Sequence, residues 1–116
     1  MDILILEDDH VRQEIFLRNL ADANAVIVET ATDAIQRLSE SRWDYLFLDH
    51  DLGGTQLVES GPGTGYEVAE WLAENPTFQP PNIVIHSFNP GGAENIKRGL
   101  PNAVVAPGCW SSISLS

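Results

Sequence analysis

The stretch Asp44-Tyr45-Leu46-Phe47-Leu48-Asp49-His50-Asp51-Leu52-Gly53-Gly54 constrains the rest of the chain more than any other. Its apolar run is too short for a helix and is bounded by turn residues, so it reads as a strand buried on both faces. Its carboxyl end delivers Asp49 and Asp51 to one edge, where open α/β sheets place their ligand sites. Carboxylates crowded together repel, which raises a pKa unless a cation neutralises them. A divalent, oxygen-liganded metal is therefore the expected guest, Mg2+ or Mn2+ before Ca2+, because few ligands are at hand and no calcium loop is visible.

The flanking sequence alternates strands and helices. Asp2 to Leu6 is an apolar strand closed by Glu7-Asp8-Asp9. His10 to Ala21 carries Val11, Ile15, Phe16 and Leu20 at helical spacing, with Asp8 or Asp9 placed to cap it. Ala25 to Glu29 is a second strand, and a helix capped by Thr30 or Thr32 runs to about Ser41. After the central strand, Leu52 to Gly65 holds five glycines and one proline with almost no periodicity, a long loop on the acidic edge. Tyr66 to Asn75 is a third helix stopped by Pro76. Phe78 to Pro81 reads as extended linker, Asn82 to Ser87 as a fourth strand, Ala93 to Arg98 as a short fourth helix and Ala103 to Ala106 as a fifth strand. The tail after Pro107 is too short and too serine-rich for a full last helix. Such alternation predicts right-handed crossovers and a single α/β domain over 1–116, a doubly wound five-stranded parallel sheet with helices on both faces.

Charge narrows the function classes. Seventeen acidic side chains face six basic ones, and the basic ones are scattered apart from Lys97-Arg98. That excludes general nucleic-acid binding through a basic surface. One cysteine, Cys109, forbids an intramolecular disulfide. No signal peptide or apolar run of membrane-spanning length is present, so no membrane partner and a cytoplasmic location are the expectations.

With Leu6-Glu7-Asp8-Asp9 after strand one, Asp49 ending strand three, Ser87 ending strand four and a proline after strand five, the chain resembles the receiver domain of response regulators over nearly its whole length. The resemblance implies a flavodoxin-like sheet of order 2-1-3-4-5. It also implies Glu7 and Asp8 as the acidic pair that helps hold Mg2+, Asp49 as phosphoacceptor and Ser87 as the hydroxyl on the phosphoryl oxygen. Where receivers carry a lysine before the proline that follows strand five, this chain has Ala106-Pro107. Asp49-His50-Asp51-Leu52 together with His86-Ser87-Phe88-Asn89 is most similar to the divergent stand-alone branch of cyclic-phosphate processing receiver-like domains.

Several residues carry two readings each. Asp51 is either the cap of the Leu52-Gly53-Gly54 turn or a second ligand or acid/base beside the nucleophile Asp49, in the manner of an Asp-x-Asp phosphatase. His50, between two carboxylates, is either a packing residue or an acid catalyst. Alternation sends His86 and Ser87 to opposite faces. Ser87, Asn89, Gly91 and Gly92 are the candidate phosphate-binding set, their turn being either an anion nest or a plain turn. Lys97 and Arg98 read as a solvated pair, and the tryptophans and Cys109 as packing residues.

Three functions follow: a metal-dependent enzyme acting on a phosphate or cyclic-phosphate compound through Asp49, Asp51 and His50; a module whose Asp49 takes phosphoryl from a phosphodonor; and an interaction protein gripping a protein partner with the loop 52–65.

Overall fold

The computed structural model describes residues 1–52 and 59–111, with nothing said of the side chain of residue 111. Five strands and four helices alternate: β1 Asp2–Leu6, α1 His10–Asn19, β2 Asn24–Val28, α2 Ala31–Glu40, β3 Tyr45–Leu48, α3 Gly65–Glu74, β4 Asn82–Ile85, α4 Pro90–Gly99 and β5 Val104–Val105, with 3-10 turns at Pro76–Phe78 and Cys109–Ser111. All pairings are parallel, in the order β2-β1-β3-β4-β5. The register sets Leu6 beside Leu48 and Leu48 beside Ile85, so the tips of the three central strands end level.

Two apolar layers hold the sheet. On one side Ile3, Ile5 and Phe47 pack under Phe16 and Leu20 of the α1 segment. On the other, Leu4, Leu6, Leu46, Leu48, Ile83 and Ile85 meet α2, α3 and α4. Phe16 is the one buried residue inside α1. A fully buried side chain of its size contributes about 2–3 kcal/mol, so this ring does much to anchor the helix.

Caps set the helix starts. Asp9 accepts from Arg12 N at 3.0 Å, so Asp9 and not Asp8 caps α1. Thr30 caps α2 and Thr64 caps α3. The fourth helix begins at Pro90, three residues before the expected Ala93, because Asn89 Oδ1 accepts from Gly92 N and proline fits the first helical position. It is ten residues long, as long as the other three. The segment expected to be wholly extended before β4 starts with the 3-10 turn Pro76–Phe78. After β5, the turn Cys109–Ser111 packs on α1, where Asn19 Nδ2 donates to Trp110 O at 2.7 Å, and the expected tail 112–116 lies outside the described residues. Of the expected loop 52–65, residues 53–58 lie outside the described residues.

Candidate metal centre

Alternation along the strands decides what reaches the acidic edge. Phe47 belongs to the α1-side layer, and Asp49, two residues on, leaves the strand on that side; Glu7 follows Ile3 and Ile5 in the same way. One ligand oxygen from each of Glu7, Asp8 and Asp49 can be chosen so that all lie within 4.8 Å of one another. Glu7 is fully buried. Its Oε2 accepts from Asp9 N at 3.0 Å, while its Oε1 is buried without a hydrogen-bond partner. Asp49 is 4% exposed, and its Oδ1 accepts from His50 N at 2.9 Å.

Arg12, one turn into α1, brings its Nη1 to 3.5 Å from Glu7 Oε1 and 3.9 Å from Asp49 Oδ2. These are ion-pair distances, too long for hydrogen bonds. The guanidinium does not offset the crowding. Burial, with Glu7 alongside, pushes Asp49 up to about 7, and burial also raises Glu7 against the opposing pull of the Asp9 N–H and Arg12. Three carboxylates on neighbouring strand tips, one with an orphaned buried oxygen, are a donor set for a hard divalent cation.

His86 shares this side, which its neighbour Ser87 does not. It is fully buried against Phe16, and its Nε2 donates to Leu6 O at 3.3 Å. That bond leaves the lone pair on Nδ1, 3.8 Å from Glu7 Oε1 and itself without a partner. Burial lowers the imidazole to about 4, so it is neutral at physiological pH. Alternation already sets His86 apart from Ser87 at this edge, whereas no local signal in the sequence announces Arg12.

The structure separates Asp49 from the two residues expected to work with it. His50 follows Leu48 onto the opposite side, where it is fully enclosed. Its Nδ1 meets Asp51 Oδ1 at 2.8 Å and its Nε2 meets Ser60 Oγ at 2.8 Å. Asn89 Nδ2 donates to the same Asp51 oxygen at 3.0 Å, and Asn95 Nδ2 to Ser60 Oγ at 2.9 Å. Ser60, His50 and Asp51 thus have the connectivity of a nucleophile relay. The next N–H, that of Gly61, goes to Thr64 Oγ1, and the imidazole is sealed, so we read the chain of bonds as a tie joining β3, the loop before α3, and α4.

The expected anion nest is a helix cap. Gly92 N is spent on Asn89 Oδ1, and a Cβ on Gly92 would lie 2.4 Å from the His50 ring, so the glycine serves close packing. A Cβ on Gly91 would make only an ordinary contact, 3.7 Å from Asn89 Oδ1. Ser87 is 2% exposed and accepts from Asn89 N at 3.0 Å, which leaves its own O–H free to donate. Gly65 also has a packing reason: a Cβ there would meet the Asp49 carbonyl oxygen at 1.8 Å. Lys97 and Arg98 are both exposed, with Lys97 Nζ donating to Ala103 O at 2.6 Å and Pro101 O at 3.1 Å and Arg98 pairing with Glu94 at 3.1 Å. Cys109 is half-buried, and burial pushes its thiol up to about 11, away from nucleophilic use.

A family model described as the cyclic-phosphate processing receiver domain matches residues 3–102. Among solved structures, the phosphorylated cyanobacterial phytochrome response regulator RcpA is similar at TM-score 0.70 and 20% identity, covering 90% of this chain and 78% of that one. The response regulator TrrA of Thermotoga maritima, solved with Mg2+ and beryllofluoride, gives 0.69 and 17%, over 93% and 89%. The Mn2+-bound form of response regulator Rcp1 gives 0.67 and 19%, over 90% and 78%. A hydroxyacylglutathione hydrolase of Pseudomonas syringae pv. syringae (strain B728a) is 31% identical over 67 residues, 55% of this chain and 26% of that protein, so the chain spans about a quarter of that relative's length.

Proposed function

The chain belongs to the cyclic-phosphate processing receiver domain family, and from that premise we propose that it binds a divalent cation, Mg2+ or Mn2+, through Glu7, Asp8 and Asp49, and through the cation a phosphoryl group. The observation that carries the reading is the fully buried Glu7 with one oxygen lacking any hydrogen-bond partner, beside two further carboxylates. A buried carboxylate oxygen with no hydrogen bond and only a 3.5 Å ion pair to Arg12 is incompletely compensated, and a bound cation would complete it. When bound, such an ion supplies charge neutralisation and a Lewis-acid hold on phosphoryl oxygen. Ser87, at the next strand tip, leaves its strand on the side opposite the acids, so its O–H takes no part in holding that oxygen.

Titration calorimetry with Mg2+ and Mn2+ tests the reading. The expected result is one site whose affinity falls about 100-fold in Glu7→Gln and in Asp49→Asn. No uptake of either ion by the wild type would sink it.

Between turnover and reversible phosphoryl holding, the site favours the second. The imidazole and carboxylate that would serve as acid/base, His50 and Asp51, are bonded to each other on the far side of the sheet edge. Asp49 is left as acceptor or ligand, and the phosphodonor or phosphate-bearing small molecule approaches from the Glu7 side. Hydrolysis of a panel of cyclic phosphodiesters by the Mg2+-loaded protein at rates above background, lost in Asp49→Asn, would instead favour the enzyme.

A further inference from the structure

Arg12 is the cation that stands beside the acids, and its surroundings hold it in one place. Its guanidinium carbon lies 5.7 Å from the ring centre of Phe88 and 5.9 Å from that of Trp110. The two rings meet edge to face at 6.4 Å and 83°. Phe88 follows β4, Trp110 sits in the turn after β5, and Asn19 fastens that turn back to α1. Gly108, at φ +71°, brings the turn close enough that a Cβ there would lie 3.2 Å from Phe88 Cζ. Two separate segments therefore converge on one side chain of α1 that is 23% exposed.

Among the described residues the guanidinium makes no hydrogen bond, because its distances to Glu7 and Asp49 are too long. A guanidinium carbon within about 6 Å of a ring centre is attracted to the ring, and Nη1 is turned toward Glu7 and Asp49, so its N–H groups lie on the side where an anion held by the pocket would arrive. A pocket of three carboxylates and one guanidinium has a formal charge of −2, matched by one divalent cation. A phosphoryl group arriving on that neutral assembly brings new negative charge and oxygens that need N–H donors. The lysine of α4 cannot provide them, being held by Ala103 O and Pro101 O, and Arg98 is paired with Glu94.

We propose that Arg12 is the phosphoryl-recognition residue of this pocket, presenting its N–H fork to the phosphoryl oxygens from the first turn of α1, with Phe88 and Trp110 as the positioning residues that aim it. The inference rests on the metal and phosphoryl reading given above and adds to it which side chain reads the anion. It also makes Trp110 a reporter, because the indole lies 5.9 Å from the guanidinium whose charge the anion would neutralise.

The test uses the full chain carrying Trp43→Phe and Trp71→Phe, so that Trp110 is its one indole, with and without Arg12→Gln or Arg12→Lys. Mg2+ uptake is measured first, then binding of beryllofluoride and of inorganic phosphate to the Mg2+ form, by calorimetry and by Trp110 emission. Beryllofluoride reports a phosphoryl carried on Asp49 and inorganic phosphate a dissociable ligand, so the arm that binds identifies the source. Arg12→Gln is expected to keep Mg2+ affinity at or above the wild-type value, to bind the oxyanion about tenfold or more weakly and to lose the Trp110 response. Arg12→Lys should recover part of the affinity, since it restores the charge without the planar fork. A Mg2+-loaded Arg12→Gln protein that binds the oxyanion as tightly as the wild type overturns the assignment alone, whereas a wild type that binds Mg2+ but neither oxyanion overturns the phosphoryl half of the proposed function and the arginine with it. A wild type that takes up no Mg2+ overturns the pocket reading and the arginine with it.

Discussion

The sheet edge has two sides built from the same kinds of residue to opposite ends. On the α1 side, Glu7, Asp49 and His86 are buried with bonds left unmade: Glu7 Oε1 and His86 Nδ1 have no partner, and Asp49 is pushed up to about 7. On the α4 side, His50, Asp51, Asn89, Ser60 and Asn95 bond one another, and Gly92 closes against the imidazole ring. A satisfied buried network rigidifies, whereas an unsatisfied one costs stability and persists where a ligand completes it. The difference teaches that of two histidine–carboxylate neighbourhoods, the one with poorer bonding is the candidate site.

The comparison breaks most readily at Gly92. Gly92→Ala puts a methyl group into the His50 ring and should cost about 3 kcal/mol in urea unfolding. In a His50→Ala background the same change should cost under about 1 kcal/mol, because the obstacle has gone. An undiminished penalty there would mean that the glycine is needed for another reason. Neither variant should alter Mg2+ affinity per folded molecule by more than about threefold, since the tie lies off the acid pocket.

Asp49→Asn cuts the other way. Besides losing metal uptake, it should raise metal-free stability at about pH 8 by roughly 1 kcal/mol, through relief of repulsion with Glu7. Thermal melts with a chelator present check it, and a lower melting temperature would argue that the carboxylate is structurally required.

The pH profile is a finer measure. Asp49 goes from 3.8 to about 7, so its contribution is full below 3.8 and lost as pH rises through 7; Glu7 shifts in the same direction. His86 goes from 6.5 to about 4, so its contribution is present above 6.5 and lost as pH falls toward 4. The slopes oppose one another between about 4 and 6.5, and above that the acid slope stands alone. Metal-free wild type should therefore lose stability between about pH 6.5 and 8 while Asp49→Asn stays flat there, and saturating Mg2+ should reverse the wild-type slope. The smallest effect belongs to neither side: breaking the exposed Glu94–Arg98 pair should cost under about 0.5 kcal/mol. Chemical denaturation of Arg98→Ala checks it, and a larger loss would show that α4 depends on its outer face.

Much of the fold was legible because its signals are local. The apolar run Tyr45 to Leu48, the cap residues Asp9 and Thr30 and the stop at Pro76 each depend on near neighbours. The start of the fourth helix was misplaced because Asn89-Pro90-Gly91-Gly92 reads equally as a breaker and as a cap with proline behind it, and only the Asn89 to Gly92 bond separates the two. In the sequence, Asp49-His50-Asp51 offers both a shared site and separate capping and packing roles, and adjacency along the chain does not separate them. At a strand end, neighbours point apart.

From its sequence alone this protein had its layer order, its parallel sheet and the gathering of Glu7, Asp8 and Asp49 at the strand tips, since period and turn chemistry are written residue by residue. The packed structure decided which side of the edge each group faces, that Arg12 joins the acids between Phe88 and Trp110, and that His50 is walled in behind Gly92. Those outcomes depend on contacts between segments far apart in the chain, and long-range burial alone determines which polar groups find partners and which are left waiting for one.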